Sequence, residues 1–363
     1  MTSISKVFLV LLLCSLLFIK LSAQSDSDFR VVGYYSGPTN LVDSFQIDKL
    51  THLIFSFGHL KDNRLHIGSA EDSATIKRMV ELKGKNPELK VMLSLGGWGA
   101  CQTCSDVFNT EKGREEFAQS VREITDYFQT DGIDLDWEYP AIQGPPGHTF
   151  RKEDRRNFTS LLKELRKVNG KNFEISFAAG GFTTYIDSAV EWKEVIRYTD
   201  FINIMTYDLV HGYSKISGHH TPLYSTPQQI ESTDHAVQLL LQAGVPSDQL
   251  VVGAAFYGRF FQIDEGNPVD LYEPCHFLHG FSNKDTGDSL SIKNGFEKKW
   301  DDVAQAPYAI NVKRRLLATY DDEKSVALKT KYAIENKLGG IMFWQMCDDK
   351  FRGGLLDAID NMQ

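Results

Sequence analysis

Apolar runs of strand length alternate with amphipathic stretches along almost the whole chain. The runs that predict strands are Val31–Tyr35, His52–Phe57, Lys90–Leu95, Gly132–Trp137, Glu174–Ala178, Phe201–Met205, Leu250–Phe256 and Gly340–Trp344. Most are apolar at successive positions, the pattern of parallel strands covered on both faces. Between them, Lys112–Gln129 repeats Phe117, Val121, Ile124 and Phe128 at helical spacing. Lys152–Val168 does the same with Phe158, Leu161, Leu162, Leu165 and Val168, and Pro227–Gln242 and Glu323–Lys337 are comparable. Strand then helix, eight times over, predicts the α/β class and a closed (β/α)₈ barrel, the TIM barrel. A doubly wound open sheet is the alternative, but no Gly-rich phosphate loop follows the first strand.

The alternation breaks once, from Arg259 to Arg314, after the seventh predicted strand. The segment is polar and mixed, with no repeating unit. Phe277, Phe281, Phe296, Trp300 and Tyr308 can supply a core of its own. It predicts a small α+β insertion at 259–314, opening onto the C-terminal face of the barrel.

The chain of 363 residues is long enough for one large domain of this kind. Its first residues differ from the rest. Lys6 precedes an apolar run from Val7 to Ile19, and the small residues Ser22 and Ala23 follow. That is the length of a signal h-region and short for a membrane span. We therefore expect a signal peptide at 1–23, with a retained signal anchor as the alternative, the barrel at 24–363, and a secreted, extracellular or periplasmic protein with no membrane association after cleavage. Cleavage removes Lys6 and Lys20 and no acid, so 39 basic residues become 37 against 48 acids and the formal charge goes from −9 to −11. Such a surface argues against nucleic acid as partner and suits a neutral substrate.

Outside that segment four cysteines remain. Cys101-x-x-Cys104 reads as a local disulfide bracing a loop, since a zinc half-site would need two further ligands and no second C-x-x-C exists. The pairing of Cys275 with Cys347 stays open. Asn157-Phe-Thr159 is an N-glycosylation sequon.

Candidate chemistry concentrates in Asp131-Gly-Ile-Asp134-Leu-Asp136-Trp-Glu138-Tyr-Pro140. Side chains alternate along a strand, so Asp134, Asp136 and Glu138 share one face while Ile133, Leu135 and Trp137 share the other. With the apolar set against the helices, the acids face the barrel interior and climb about 3.3 Å per residue towards the rim. Burying several carboxylates is costly, and neighbours drive one another's pKa values apart. Ionised Asp134 or Asp136 is therefore expected to keep Glu138 protonated, ready to donate. Acids in a line along one strand do not surround a point, so we expect no metal. Nothing in the sequence calls for a cofactor.

Asp131-x-x-Asp134-x-Asp136-x-Glu138 resembles the D-x-x-D-x-D-x-E signature of glycoside hydrolase family 18, the chitinases and their relatives. Ser94-Leu-Gly96-Gly97-Trp98 is similar to the family's S-x-G-G element and Met205-Thr-Tyr207-Asp208 to its M-x-Y-D element. Tyr257-Gly-Arg259 and Gly339-Gly-Ile-Met-Phe-Trp344 resemble the elements closing the seventh and eighth strands. Gly33-Tyr34 and Phe55-Ser-Phe57 fit the first two.

The resemblance implies a retaining glycosidase acting on chitin or N-acetylglucosamine oligomers through the substrate's own acetamide, by way of an oxazolinium intermediate. It implies Glu138 as acid then base, and Asp136 as holder of the acetamide. Asp134 would pair with Asp136, and Tyr207 would donate to the acetamide. Asp208 and Arg259 would bind sugar hydroxyls, Trp344 would floor the reacting sugar, and Trp98 would stack on a more distant one. Gly97, Met205, Tyr257, Tyr34 and Phe57 would line the same site. His211, His219 and His220 lie in a loop similar to the family's segment after the sixth strand and read as surface or supporting residues. Gln345 and the Cys101/Cys104 loop depart from the family's pattern. Two alternatives share the fold: a relative cutting N-glycan cores or peptidoglycan, and a non-catalytic lectin, which typically lacks the catalytic Glu. A monomer is expected.

Overall fold

The computed structural model describes residues 29–363. The expected signal segment 1–23 lies outside them. The strands are β1 Arg30–Tyr35, β2 His52–Lys61, β3 Arg64–His66, β4 Lys90–Gly96, β5 Gly132–Asp136, β6 Glu174–Gly180, β7 Phe201–Met205 and β8 Leu250–Ala255. They continue with β9 Tyr257–Ile263, β10 Cys275–Ser282, β11 Glu297–Asp301, β12 Ala306–Asn311, β13 Leu316–Tyr320 and β14 Gly340–Trp344. Eight run parallel in the order β1-β14-β8-β7-β6-β5-β4-β2, and β1 also pairs with β2, which closes the barrel. An open sheet is thereby excluded.

The eight predicted strands are all present. The largest difference is β2, which runs on past Phe57 to Lys61 because it turns at Asp62, φ 54°, and pairs back antiparallel with β3. Gly58-His59 breaks the apolar run without breaking the strand.

Helix Glu111–Phe128 is capped by Thr110, whose hydroxyl accepts from Gly113 N, and helix Asp154–Asn169 packs beside it. The helix expected from Pro227 begins only at Thr233. Ser232 caps it there, and the Gln229 side chain is tied to both backbone groups of His219 at 2.8 and 3.0 Å. Asp322 and Ser325 form a capping box on helix Glu323–Glu335.

Two separate apolar layers result. Ile133, Leu135 and Trp137 pack outward with Phe117, Phe158, Leu161 and Leu165. Val32, Ile54, Met92, Ala178, Phe201, Val251 and Met342 fill the barrel interior. The interior plug closes the barrel beneath its C-terminal mouth.

Above the barrel stands an antiparallel sheet in the order β10-β9-β13-β12-β11. It starts at Tyr257 and ends at Tyr320, so the segment 259–314 lies within it. One face is filled by Phe260, Leu290, Phe296, Leu316 and Tyr320. Phe281, Phe277 and Tyr308 are only partly buried. Trp300, expected in this core, is half-exposed with the Lys324 ammonium 3.5 Å from its ring centre.

Cys101 and Cys104 form a disulfide, as expected, while Cys275 and Cys347 are free thiols. Asn157 of the sequon is buried, and its amide donates to Asn109 Oδ1 at 3.2 Å, so a glycan there would not fit this fold. Among the described residues no helix is long and apolar enough to cross a membrane.

Candidate active site

The acids of β5 separate by depth. Asp131, at the base, accepts from Val91 N at 2.7 Å and pairs with Lys83 at 2.5 Å, so this member of the motif anchors the strand's lower end. Asp134 is fully buried and surrounded by donors: Ser176 Oγ at 2.6 Å, Ser94 Oγ at 2.8 Å, Tyr34 Oη at 3.1 Å and Asn203 Nδ2 at 3.3 Å. Burial raises its carboxyl, and those donors oppose the rise.

Strand register explains the cradle, since Ser94 on β4 and Ser176 on β6 both stand level with Asp134. Ser176 was missed from the sequence, and Ser94 was read only as part of the S-x-G-G element, not as a donor. Their signal was a polar residue interrupting an otherwise apolar run, seen also at Asn203 in β7. The resemblance had Asp134 paired with Asp136, but no hydrogen bond joins the two; the serines, Tyr34 and Asn203 take that place.

Asp136 is also buried, and its Oδ1 has no hydrogen-bond partner among the described residues. Burial first, then the nearby charges of Glu138 and Asp134, push its carboxyl well above the usual range. Glu138 stands just past the end of β5 and is pushed up to about 7. Burial is the main cause and the charge of Asp208 adds to it, while the Tyr139 hydroxyl opposes. Desolvation is thus the largest cause, the charge shared between Asp136 and Glu138 raises the pair together, and Asp208, from the loop after β7, adds to it.

Tyr139 wedges Glu138 against a group of rings, 5.4 Å from Tyr185, 5.5 Å from Phe182 and 6.4 Å from Trp98 between centres. Tyr139, Phe182 and Tyr185 were not singled out from the sequence. Cis peptide bonds follow Ser56, Glu138 and Trp344, at the mouth ends of three barrel strands.

Gly96, the last residue of β4, and Gly97 after it are needed for space. A Cβ on Gly96 would lie 2.2 Å from the Asp136 carbonyl oxygen, and one on Gly97 2.5 Å from the Phe57 ring. Gly97, at φ +84°, donates its N–H to that same carbonyl at 2.9 Å. Phe57 in turn stacks on Trp344, centres 5.4 Å apart and planes within 16°, and Tyr34 tilts against Trp344 at 5.8 Å. These rings form a flat apolar floor beside the acids. Trp98, 54% exposed, projects beyond them.

At φ +84°, Gly97→Ala is expected to cost about 1–2 kcal/mol in backbone strain alone. It also forces Phe57 off Trp344, and kcat/KM should fall at least tenfold, since small displacements at a reacting centre are expensive. Full activity at an unchanged melting temperature would contradict this account of the floor.

The opposite side is built from β7, β9 and the strap between β7 and helix Thr233–Gln242. Met205 lies in the barrel plug. Tyr207 is half-buried, and among the described residues its hydroxyl's one hydrogen-bond partner is Met342 Sδ, at 3.8 Å. Asp208 has φ 56°. Its carboxylate takes a fork of two 2.5 Å hydrogen bonds from Arg259 and one of 2.8 Å from Tyr257 Oη. Burial works to raise the Asp208 carboxyl, but His220 and then Arg259 hold it well below the usual range. Asp208 and Arg259 are therefore joined as an ion pair rather than standing as separate hydrogen-bonding groups.

Of the three histidines, His211 is exposed and His219 bonds Asp301 at 3.1 Å. His220 is fully buried behind Asp208. Gln345 Oε1 accepts from Ser36 N at 3.0 Å, fastening the end of β14 to the segment after β1.

Residues 30–349 match the family model described as glycosyl hydrolases family 18. The chain is 35% identical to Chitinase A1 of Niallia circulans over 77% of its own length, spanning 43% of that longer protein. It is 27% identical to Chitinase B of Serratia marcescens over 91% of its length and 83% of the relative's. Among solved structures it superposes with TM-score 0.84 on a family 18 N-acetylglucosaminidase from Paenibacillus barengoltzii, at 34% identity, covering 92% of this chain and all of the other. With its closed barrel, its acid line on β5 and a family match over nearly all the described residues, the chain belongs to the glycosyl hydrolases of family 18.

Proposed function

We propose that the protein is a secreted chitinase that cleaves β-1,4-linked N-acetylglucosamine chains with retention, using the substrate's own acetamide oxygen as nucleophile. One observation carries this reading: a buried Asp136 oxygen without a hydrogen-bond donor, next to a Glu138 that is largely neutral below pH 7. An orphaned carboxylate oxygen is costly unless a ligand supplies its donor, and an acetamide N–H is such a donor. The other carboxylates are engaged, Asp134 by its four donors and Asp208 by Arg259 and Tyr257.

The steps follow from these assignments. Glu138 gives its proton to the leaving glycosidic oxygen while the acetamide oxygen attacks the anomeric carbon. Asp136 accepts the acetamide N–H and stabilises positive charge on that nitrogen. Tyr207 donates to the acetamide oxygen, Trp344 floors the sugar, and Asp208 with Arg259 engages hydroxyls. Ionised Glu138 then takes a proton from water, which opens the oxazolinium ring.

The N-terminal apolar segment and the Cys101–Cys104 disulfide both suit export to an oxidising compartment. A second reading, an N-acetylglucosaminidase rather than a chitinase acting within long chains, is favoured by the likeness to the Paenibacillus barengoltzii N-acetylglucosaminidase. Sizing the first products from oligomers of several lengths separates the two.

Asp136→Asn tests the mechanism. The carboxylate acts on charge that develops only in the transition state, so kcat should fall far more than KM rises. A raised KM with kcat unchanged would remove Asp136 from this role.

A further inference from the structure

His220 is a buried titratable group for which the mechanism above has no use. Its ring is completely inaccessible, and neither Nδ1 nor Nε2 has a hydrogen-bond partner among the described residues. An unpaired buried imidazole is costly, and an apolar side chain of the same bulk would avoid that cost. Its surroundings indicate what is gained. Nδ1 lies 3.6 Å from Asp208 Oδ1, just beyond a hydrogen bond, and the ring centre is 5.2 Å from that of Tyr257.

Asp208 itself stands at φ 56°, a conformation that non-glycine residues seldom adopt, so its orientation depends on side-chain contacts. His220 is held firmly enough to provide one. Its N–H donates to Thr319 Oγ1 at 3.0 Å, on β13, and its carbonyl accepts from Leu209 N at 3.0 Å. The next residue, Thr221, donates to the Thr206 carbonyl at 3.0 Å. The strap 219–221 is thus laced along 206–209, directly behind the site.

We propose that His220 is a positioning residue for Asp208: from the buried side, its Nδ1 face fixes the carboxylate that Arg259 and Tyr257 grip from the groove side. The charged and titratable groups around the ring are Asp208 from the β7 loop, Tyr257 and Arg259 from β9, and Asp321 just after β13. Asp321 is paired with the buried Lys329 at 2.7 Å. Burial lowers the imidazole's pKa, so His220 works in its neutral form. A neutral ring with its proton on Nδ1 presents that N–H to Asp208 without adding a second buried cation beside Arg259. The proposal rests on Asp208 acting on the sugar.

A double-mutant cycle tests it, with kcat and KM measured separately on a chromogenic N-acetylglucosamine oligomer. His220→Leu keeps the bulk and removes the donor, and kcat/KM should fall about tenfold or more. Placed on Asp208→Asn, the same change should cost almost nothing further, because its effect runs through Asp208. His220→Asn puts an amide where Nδ1 stood and should keep most of the activity. Additive losses, a harmless His220→Leu, or an Asn variant as poor as Leu would each overturn the proposal. If His220→Leu does not fold, His220→Gln replaces it in the cycle, since its amide reaches the Nε2 position, away from Asp208, and the same outcomes apply. A fully active Asp208→Asn would overturn the reading of Asp208 along with the proposal; an impaired one with additive losses overturns the proposal alone.

Discussion

Glu138→Gln is expected to lose at least about 10²–10⁴ in turnover while keeping its fold and its affinity for the sugar. The side chain stands at the mouth end of β5, buried against Tyr139 and facing the charge of Asp208, and its carboxyl is pushed up to about 7. A general acid must carry its proton when substrate binds. The kcat/KM of the wild type should therefore fall as pH rises through about 7. Gln has the same shape and no proton to give, so its residual rate should lose that limb.

Stability gives an independent check, in which Glu138→Gln should gain where it loses activity. The folded carboxyl titrates above its ordinary 4.5, so the folded state favours the protonated form. That contribution is fully present below pH 4.5 and is lost as pH rises through about 7. Gln never ionises. Glu138→Gln should then melt close to wild type at pH 5 and higher than wild type at pH 8. Near wild-type turnover in the variant, or a wild type that keeps its activity well above pH 8 with no limb near 7, would remove Glu138 from the role of acid.

The eight strands and the inward line of acids could be read from the sequence because burial on both faces writes itself as apolar runs. A strict alternation of Asp134, Asp136 and Glu138 with Ile133, Leu135 and Trp137 likewise allows only one facing. What escaped depends on which strands become neighbours. Ser94, Ser176 and Asn203 each interrupt an apolar run, but that they are donors to Asp134 follows only from the β4–β5–β6–β7 register. The β2–β3 hairpin was hidden by Gly58-His59, and the limits of the upper sheet by its antiparallel, one-side-wet strands, whose residues alternate too loosely to mark ends. His220 was read from sequence only as one of three surface or supporting histidines, since what sets it apart is its distance to Asp208.

Hydrolysis should release the β-anomer first, and fully deacetylated chitosan should resist cleavage. If the acetamide oxygen is the nucleophile, it attacks the face opposite the leaving group, and water then attacks the face that group left. Two inversions give net retention. The alternative routes need a second carboxylate free to act, as nucleophile or as base for a water on the far face. Asp134 lies beneath Asp136 in a cage of four donors, and Asp208 is forked by Arg259. Asp136 remains, and it is assigned to the acetamide N–H. With a free amine in place of the acetamide, the attacking oxygen is gone and no side chain is placed to substitute for it. Partly acetylated chains should accordingly be cut only where the sugar contributing the reacting anomeric carbon is acetylated. Proton NMR of the earliest products, read before mutarotation, follows the anomer, and sequencing of fragments from partly acetylated chains follows the acetyl requirement. An early α-anomer, or efficient cleavage of fully deacetylated polymer, would sink the acetamide mechanism even with Glu138 proven essential, because each would mean that water or a side chain had made the first attack.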